Sequence, residues 1–522
     1  MRRLSVGAVA VAAMVTVAAC GGSGKAQAAN PAPTDHVLHL SFMQDPGQPP
    51  DPDIYYGGQG LVLTTNTYEG LLTYQGGTAD PKIAAGLATN WTASADNKVF
   101  TFQLRQGVLF HDGTPFTSAA VKPSFDRRLG VNQGPAYMVS DVASVTTQGD
   151  YGVTVTLKDS NPVFLDYLAS AYGPKMMSPT VLSANAGKDF AQTYLQTHDA
   201  GTGPYTLTDA KVGSHYAMAA FDKYWGNKPY FTTVDIPVLT DPSTQQLMFN
   251  KGQLAAILHD LPQSAVRSYL ATKNIKTYSL PTMMSDFLYV NPSTSFLTTA
   301  DNRTALLQAL DVDQIFKQAY FGRGKRGDQA YPAHQLPAGQ ATQNIPHNTG
   351  ALQKLVGALP ADKKSITVGY DSQSTDNQLV ANLISAQLAP LGLTVKVQSY
   401  PTSQIFGWVG DPKGAPDLLA TTGWPDAAPA YTWAHISFDP TGGLNYLHCS
   451  SDEITKKLAE GATTGDAATF SEIGTLSVAT GCWYNLVSQD DFMVAQPWLK
   501  GVEAAHVVAT PNSLSLAALS VG

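Results

Sequence analysis

Asn66-Thr67-Tyr68-Glu69-Gly70-Leu71-Leu72 is followed by Gly86-Leu87-Ala88-Thr89-Asn90-Trp91. Next comes Phe100-Thr101-Phe102-Gln103-Leu104-Arg105-Gln106-Gly107, and the block closes on Phe110-His111-Asp112-Gly113-Thr114-Pro115. The third piece alternates apolar and polar residues without a break, which predicts a half-buried strand. Phe102, Leu104 and Trp91 read as core, and Arg105 as a buried ion-pair partner. His111 to Pro115 is turn chemistry. Thr117 reads as the N-cap of a following helix, with Pro123 expected to kink it. Asn66 to Leu72 reads as a short helix.

On either side the same mixture continues. Upstream, Val37 to Phe42 predicts a strand. Downstream, Val153 to Leu157 alternates as a strand, and Asn161-Pro162 opens a helix through Leu168. Gly201-Thr202-Gly203-Pro204-Tyr205 is a tight turn feeding a strand. Asp241-Pro242-Ser243 caps a helix to about Lys251. Asp301 to Tyr320 reads as one long helix, with Leu306, Leu307, Leu310, Ile315 and Phe316 apolar. Ser365–Tyr370, Asp376–Leu388 and Gly392–Val397 read as strand, amphipathic helix (closed by Pro390) and strand. That unit predicts a parallel α/β sheet in the second half. There is no internal repeat. The length of 522 residues exceeds one ordinary core, so two or three domains are expected.

Hydrophobic residues make up 43% and charged ones 14%, which excludes a disordered chain. The net charge of −8 and the lack of a basic patch exclude a nucleic-acid partner. At the N-terminus, Arg2-Arg3 precedes an apolar run from Leu4 to Ala19, ending Val17-Ala18-Ala19-Cys20. This is a signal segment, short for a membrane span. Its end resembles a bacterial lipobox, which implies lipidation of Cys20 and an anchor on the outer face of the cell membrane. The alternative is plain cleavage near Ala28-Ala29. Residues 21–35 form a flexible tether of small residues and proline. An exported chain permits oxidation, so Cys449 and Cys482 either pair or stand as two buried thiols.

G-x-S-x-G, H-E-x-x-H, P-loop and C-x-x-C motifs are all missing. The histidines, His435 and His448 among them, match no metal spacing and read as surface residues. No metal or cofactor is implied. What stands out is Gly423-Trp424-Pro425-Asp426, followed by Pro429, Tyr431 and Trp433. A binding cleft needs apolar walls and a few orienting polar groups. An aspartate beside an indole holds an ammonium by charge-assisted hydrogen bonds and ring attraction. The competing reading puts Trp424 and Trp433 in the core, with Asp426 capping a turn.

The opening block resembles the "YEGLL … GLA-x-x-W … FxLRxGxxFHDGTP" pattern of the family 5 extracellular solute-binding proteins. Gly201 to Tyr205, Tyr224-Trp225-Gly226-Asn227-Lys228-Pro229, Asn291 and the Gln308–Ile315 stretch extend the resemblance over residues 37 to about 500. It implies an α/β, two-lobe periplasmic-binding-protein fold with an extra subdomain on lobe I. Lobe I is expected from 36–75, 196–287 and 487–522, the subdomain from 76–195, and lobe II from 288–486. The chain crosses between lobes near Phe287–Asn291 and Leu486–Met493. The opening block is expected to be structural rather than to touch ligand. Ala119-Ala120, Thr304-Ala305 and Ala255 depart from the pattern and mark a diverged member.

The resemblance implies a non-enzymatic, monomeric receptor that hands a small ligand, a peptide first of all, to ABC permease subunits. Asp426, just after Gly423-Trp424, matches the aspartate that holds a peptide's α-ammonium in peptide-binding members. The expected ligand-binding set is Gly423, Trp424, Asp426, Tyr431 and Trp433 from lobe II, with Asp45 and Tyr55 from lobe I. The segment is about two residues short of the family pattern, and Pro425 offers no N–H to a ligand backbone. A nickel chelate, an oligosaccharide or another metabolite is the alternative on the same fold. A secreted hydrolase or a structural lipoprotein is the alternative of another class.

Overall fold

The computed structural model describes residues 30–259, 261–321 and 323–522. The lipidation position Cys20 and most of the tether lie outside the described residues. Strand Val99–Leu104 buries Phe100, Phe102 and Leu104 and exposes the residues between, as its alternation requires. It lies second in a four-stranded antiparallel sheet of Ala88–Ala93, Val99–Leu104, Gly152–Leu157 and Val142–Gln148. A second four-stranded sheet joins Val37–His39, Thr233–Pro237, His215–Ala220 and Tyr205–Lys211 in that order. Val37–His39 runs parallel to Thr233–Pro237, so the chain's start is pinned by a segment about 200 residues away.

The largest sheet has seven strands. Its order is Ala256–Ile257, Trp483–Ala495, Lys276–Val290, Leu418–Gly423, Ser365–Asp371 and Thr394–Tyr400, with Lys325–Arg326 off the path. Ser365–Asp371 pairs in parallel with both Thr394–Tyr400 and Leu418–Gly423. The expected strand–helix–strand unit is therefore present. Its helix, Thr375–Leu388, starts where the Ser374 side chain accepts from the Asn377 N–H. It buries Val380, Ala381, Ile384 and Leu388 against Ile366, Val368 and Leu418. A turn at Ala389–Leu391 and a left-handed Gly392 end it.

Lys276–Val290 and Trp483–Ala495 pair antiparallel along most of their length. Their two halves enter different cores. Leu280, Met493 and Ala495 pack with Leu38, Val234 and Tyr216. Leu288, Val290, Leu486 and Val487 pack with Ile366, Val380 and Leu418. Between the halves the ladder slips twice, between Pro281 and Ser285 and again between Asp286 and Phe287. Extra residues at such slips bend the strands.

Several sequence expectations change. The helix placed at Asn66–Leu72 is Leu61–Thr67, and Tyr68 is already extended. Leu61, Val62 and Leu63 supply its buried face. Only glycine fits at position 70, because a Cβ there would lie 2.9 Å from the Leu168 carbonyl oxygen. Thr117 makes no side-chain cap; a 3-10 turn at Ser118–Ala120 leads into the helix Val121–Val131 instead. Pro123 falls in the first turn of that helix, where its missing N–H costs nothing, so no kink is needed. The long helix expected from Asp301 breaks into Ala300–Gln308, Val312–Ile315 and a wide turn at Phe316–Tyr320. Asp311 starts the second piece by accepting from the Gln314 N–H at 2.9 Å. Arg105 is not ion-paired: it donates to the Gly86 carbonyl and lies 3.9 Å from the Trp225 ring centroid. Cys449 and Cys482 form a disulfide across 33 residues. Closing that loop contributes about 3–4 kcal/mol in the chain-entropy description.

The opening block meets the Gly201–Tyr205 and Tyr224–Pro229 motifs inside the first half. Half-buried Glu69 accepts from Thr202 Oγ1 at 2.7 Å, Trp225 Nε1 at 2.9 Å and Tyr224 OH at 3.0 Å. His111 bonds Asp199 and, through Nε2, the Gly203 carbonyl at 2.9 Å. These motifs join strands to one another and leave the ligand question to another region.

Candidate functional site

Strand Leu418–Gly423 is buried along nearly its whole length. It stops at Gly423, where a Cβ would lie 3.0 Å from the Trp433 ring. Pro425 cannot continue a ladder, and Pro429 opens the helix Ala430–Phe438. Residues 424–429 thus form a short loop at the carboxyl end of a parallel strand. In open α/β sheets that end is where ligands bind.

Segments from the first half of the chain grip this loop. Asp426 is 3% exposed. Its Oδ2 accepts from Tyr56 OH at 2.6 Å and from Tyr137 OH at 2.6 Å. Its carbonyl accepts from the Ser170 hydroxyl. Trp424 Nε1 donates at 2.9 Å to Tyr172 OH, which donates at 2.9 Å to the Gly57 carbonyl. The Ala428 N–H donates at 3.0 Å to Tyr74 OH, which donates at 2.9 Å to Asp166. Tyr56 and Tyr172 meet edge to face at 5.3 Å, and Tyr137 and Tyr167 at 5.6 Å.

Buried ion pairs hold the tyrosines in place. Arg127 pairs with Asp51 at 2.5 Å and Asp53 at 2.6 Å, and Arg128 with Asp53 at 2.8 Å. Arg128 also donates to the Tyr172 carbonyl at 2.6 Å. These contacts fix the loop that carries Tyr56 and the segment that carries Tyr172. Desolvated pairs of this kind contribute geometry more surely than stability.

Burial pushes the Asp426 carboxyl above the usual carboxylate range, and the two phenol donors pull against it. No lysine, arginine or histidine forms an ion pair with it among the described residues. Burial likewise raises Tyr56 and Tyr137, with the Asp426 charge adding to the effect. The arrangement is a desolvated carboxylate ringed by hydroxyl oxygens and aromatic faces. Such a ring can accept from an ammonium group and stack against its carbon skeleton.

The structure brings together Gly423, Trp424, Asp426 and Tyr431. Tyr431 is half-buried and stacks on His435 at 5.6 Å, and His435 lies 5.9 Å from Tyr137. Trp433 instead has no exposed surface and stacks on Phe287 at 4.6 Å, so it is core. Tyr55 is core as well, with its OH accepting from the Gly60 N–H at 2.5 Å. Asp45 sits apart, accepting from the Gly213 N–H at 2.8 Å and Tyr216 OH at 2.9 Å. His435, expected at the surface, is packed between two tyrosines, and burial lowers its pKa. Sequence reasoning missed Tyr56, Tyr74, Tyr137, Ser170 and Tyr172. Only Tyr56 carried a signal, as the neighbour of Tyr55 in Asp51-Pro52-Asp53-Ile54-Tyr55-Tyr56-Gly57-Gly58.

Residues 82–445 match the family model for bacterial extracellular solute-binding proteins, family 5. The chain belongs to that family. It is 26% identical over 435 residues to the probable D,D-dipeptide-binding periplasmic protein of Escherichia coli K12, covering 82% of this chain and 83% of that one. It is 24% identical over 449 residues to the nickel-binding periplasmic protein of the same organism, covering 81% and 84%. The fold matches a periplasmic binding protein of Helicobacter pylori, associated with an ABC transporter and solved with the peptide STSA. That match has a TM-score of 0.80 at 20% identity and covers 93% of this chain and 98% of the other. The periplasmic-binding-protein fold expected from the motif block is therefore present. Family 5 proteins bind rather than catalyse, so this chain is the extracytoplasmic solute-binding component of an ABC importer and not an enzyme.

Proposed function

We propose that this family 5 receptor captures a short peptide between two lobes, with Asp426 receiving the ligand's α-ammonium, and delivers it to its permease. The observation that carries this reading is Asp426 itself: a nearly fully buried carboxylate, held by two phenols from the other half of the chain and by no cation. A desolvated anion favours a cationic ligand group strongly. Entry of an ammonium turns Tyr56 and Tyr137 from donors to Asp426 into oxygen acceptors for the ligand. Two similar proteins support this choice, one a probable D,D-dipeptide-binding protein and one solved with the peptide STSA.

The lobes of this reading are 36–75, 196–287 and 487–522 against 288–486, with 76–195 as the added subdomain. The two register slips favour a crossing at Thr282–Ser285 and Ser488–Asp490, a few residues before the Phe287–Asn291 expected from sequence. Closure would then turn on the bent middle of two paired strands. Lipidation at Cys20 would hold the monomer at the membrane, beside its permease.

A metal chelate is the second reading, favoured by His435 beside Tyr137 and Tyr431 and by the nickel-binding relative. A thermal-shift panel separates the two. It holds short peptide pools, nickel with and without free histidine, and oligosaccharides. Ligand at about 100 times its dissociation constant adds roughly 2.7 kcal/mol to stability. A rise with peptides that Asp426→Ala abolishes supports the peptide reading. A rise only with nickel chelate or sugar overturns it.

A further inference from the structure

We propose that Asp286 is a positioning residue that locks the ligand-binding loop to the lobe-crossing strand, so that loop placement and lobe closure change together. The proposal rests on the two-lobe reading above. Asp286 lies on Lys276–Val290 between the two register slips, and its partner on the neighbouring strand is Thr422. Thr422 immediately precedes Gly423, Trp424 and the Asp426 loop.

The Asp286 side chain has no exposed surface. It accepts from the Thr422 hydroxyl and from Tyr320 OH at 2.6 Å. On its other edge Asp286 pairs with Val487 of the partner crossing strand. Asn377 Nδ2 approaches Thr422 Oγ1 at 3.4 Å, which turns the Thr422 proton toward Asp286. One residue thus joins the binding strand through Thr422, the second crossing strand through the ladder, and the turn that ends at Tyr320.

Among the described residues Asp286 forms no ion pair, and Arg323, three residues after its partner Tyr320, bonds Asp376 at 3.2 Å. Burial therefore raises the Asp286 carboxyl above its usual range, and the charge on Asp376 adds to that. A buried anion with only neutral donors is a poor source of stability, and a core made for stability alone is better served by an apolar residue. Its directional bonds instead fix one register of Thr422 relative to the crossing strands. If the crossing strands bend at the slips, Thr422 must follow, and Asp426 moves toward or away from Tyr56 and Tyr137.

Small-angle scattering and thermal denaturation of the ligand-free full chain test this without a ligand. Asp286→Asn keeps the shape and replaces one of the two acceptor oxygens by an NH2 donor, so that it cannot accept from Thr422 and Tyr320 together, and Thr422→Val keeps the shape and removes the loop's donor. Each is expected to shift the radius of gyration upward, as the Asp426 bonds to Tyr56 and Tyr137 loosen. The double variant is expected to shift it no further than either alone. Tyr320→Phe removes a donor on the side away from the loop and is expected to lower Tm without that shift. The Tyr56→Phe/Tyr137→Phe variant is the control that loosens closure directly.

If the control opens while Asp286→Asn and Thr422→Val do not, the coupling is overturned and the two-lobe reading stands. If none of these variants opens, both fall. Equal losses of Tm across Asp286→Asn, Thr422→Val and Tyr320→Phe with no change in radius also overturn the proposal, because they describe a purely structural carboxylate.

Discussion

Glu69 and Asp426 are two carboxylates built from the same chemistry and put to different uses. Each accepts from aromatic side-chain donors, and burial raises the pKa of each. Glu69 takes its donors from Thr202, Tyr224 and Trp225, which all belong to the first half of the fold. Asp426 sits at the end of a strand in the second half and takes its donors from Tyr56 and Tyr137 in the first. A carboxylate whose donors share its own core is a rivet. One whose donors lie across a boundary can exchange them for a ligand. The direction of the pKa shift does not distinguish the two; the origin of the donors does.

The largest test of this contrast is Glu69→Ala. It leaves two aromatic donors and a hydroxyl buried without an acceptor, so unfolding stability should fall by about 3–5 kcal/mol in urea titration. Any ligand the receptor binds should keep its affinity in the fraction that remains folded. Asp426→Ala should reverse the balance. Two phenols lose their acceptor there, so its stability should fall, but by less than that of Glu69→Ala with its three donors, while calorimetric affinity for a binding peptide should drop by about 2–5 kcal/mol, roughly 30-fold or more. Similar stability losses in the two variants would erase the distinction.

Asp166 sharpens the comparison through pH, because Tyr74 links it to the backbone of the binding loop. Burial raises its pKa to about 6. The folded pKa lies above that of the unfolded chain, so its stabilising contribution is complete below the unfolded pKa of about 4 and is lost as pH rises through about 6. Asp166→Asn should therefore be more stable than the parent at pH 7, by on the order of 1–3 kcal/mol, with the gap closing below about pH 4. Denaturation midpoints across that range check the sign. The smallest effect is expected from Tyr56→Phe. Asp426 loses one of two phenols, and ligand affinity should change by about 0.5–1.5 kcal/mol.

Strand Val99–Leu104, the disulfide partners and the Ser365–Tyr400 strand–helix–strand unit could be read along the chain, because period, spacing and caps are local signals. Asp426 stood out as a candidate, an acid beside a glycine, a tryptophan and two prolines. Its hydrogen-bond partners from the first half of the chain did not. Tyr56 and Tyr137 lie 370 and 289 residues away from it. Trp433 and Tyr55 carried the same aromatic signal as Trp424 and Tyr56, and the structure sends them to the core. On a helix or loop, one step of sequence turns a side chain to another face, and composition does not record which face meets the cleft.

Local sequence settled the alternating strand Val99–Leu104, the Ser365–Tyr400 strand–helix–strand unit and the family pattern, because each depends on residues close together in the chain. Tertiary packing settled where the donors of each carboxylate come from, Glu69 from its own half of the chain and Asp426 from the other. It also settled where the ladder of Lys276–Val290 and Trp483–Ala495 slips, and that Asp286 bonds Thr422 just before the 424–429 loop. Those properties belong to pairs of residues far apart in sequence, and only a folded chain brings such pairs within bonding distance.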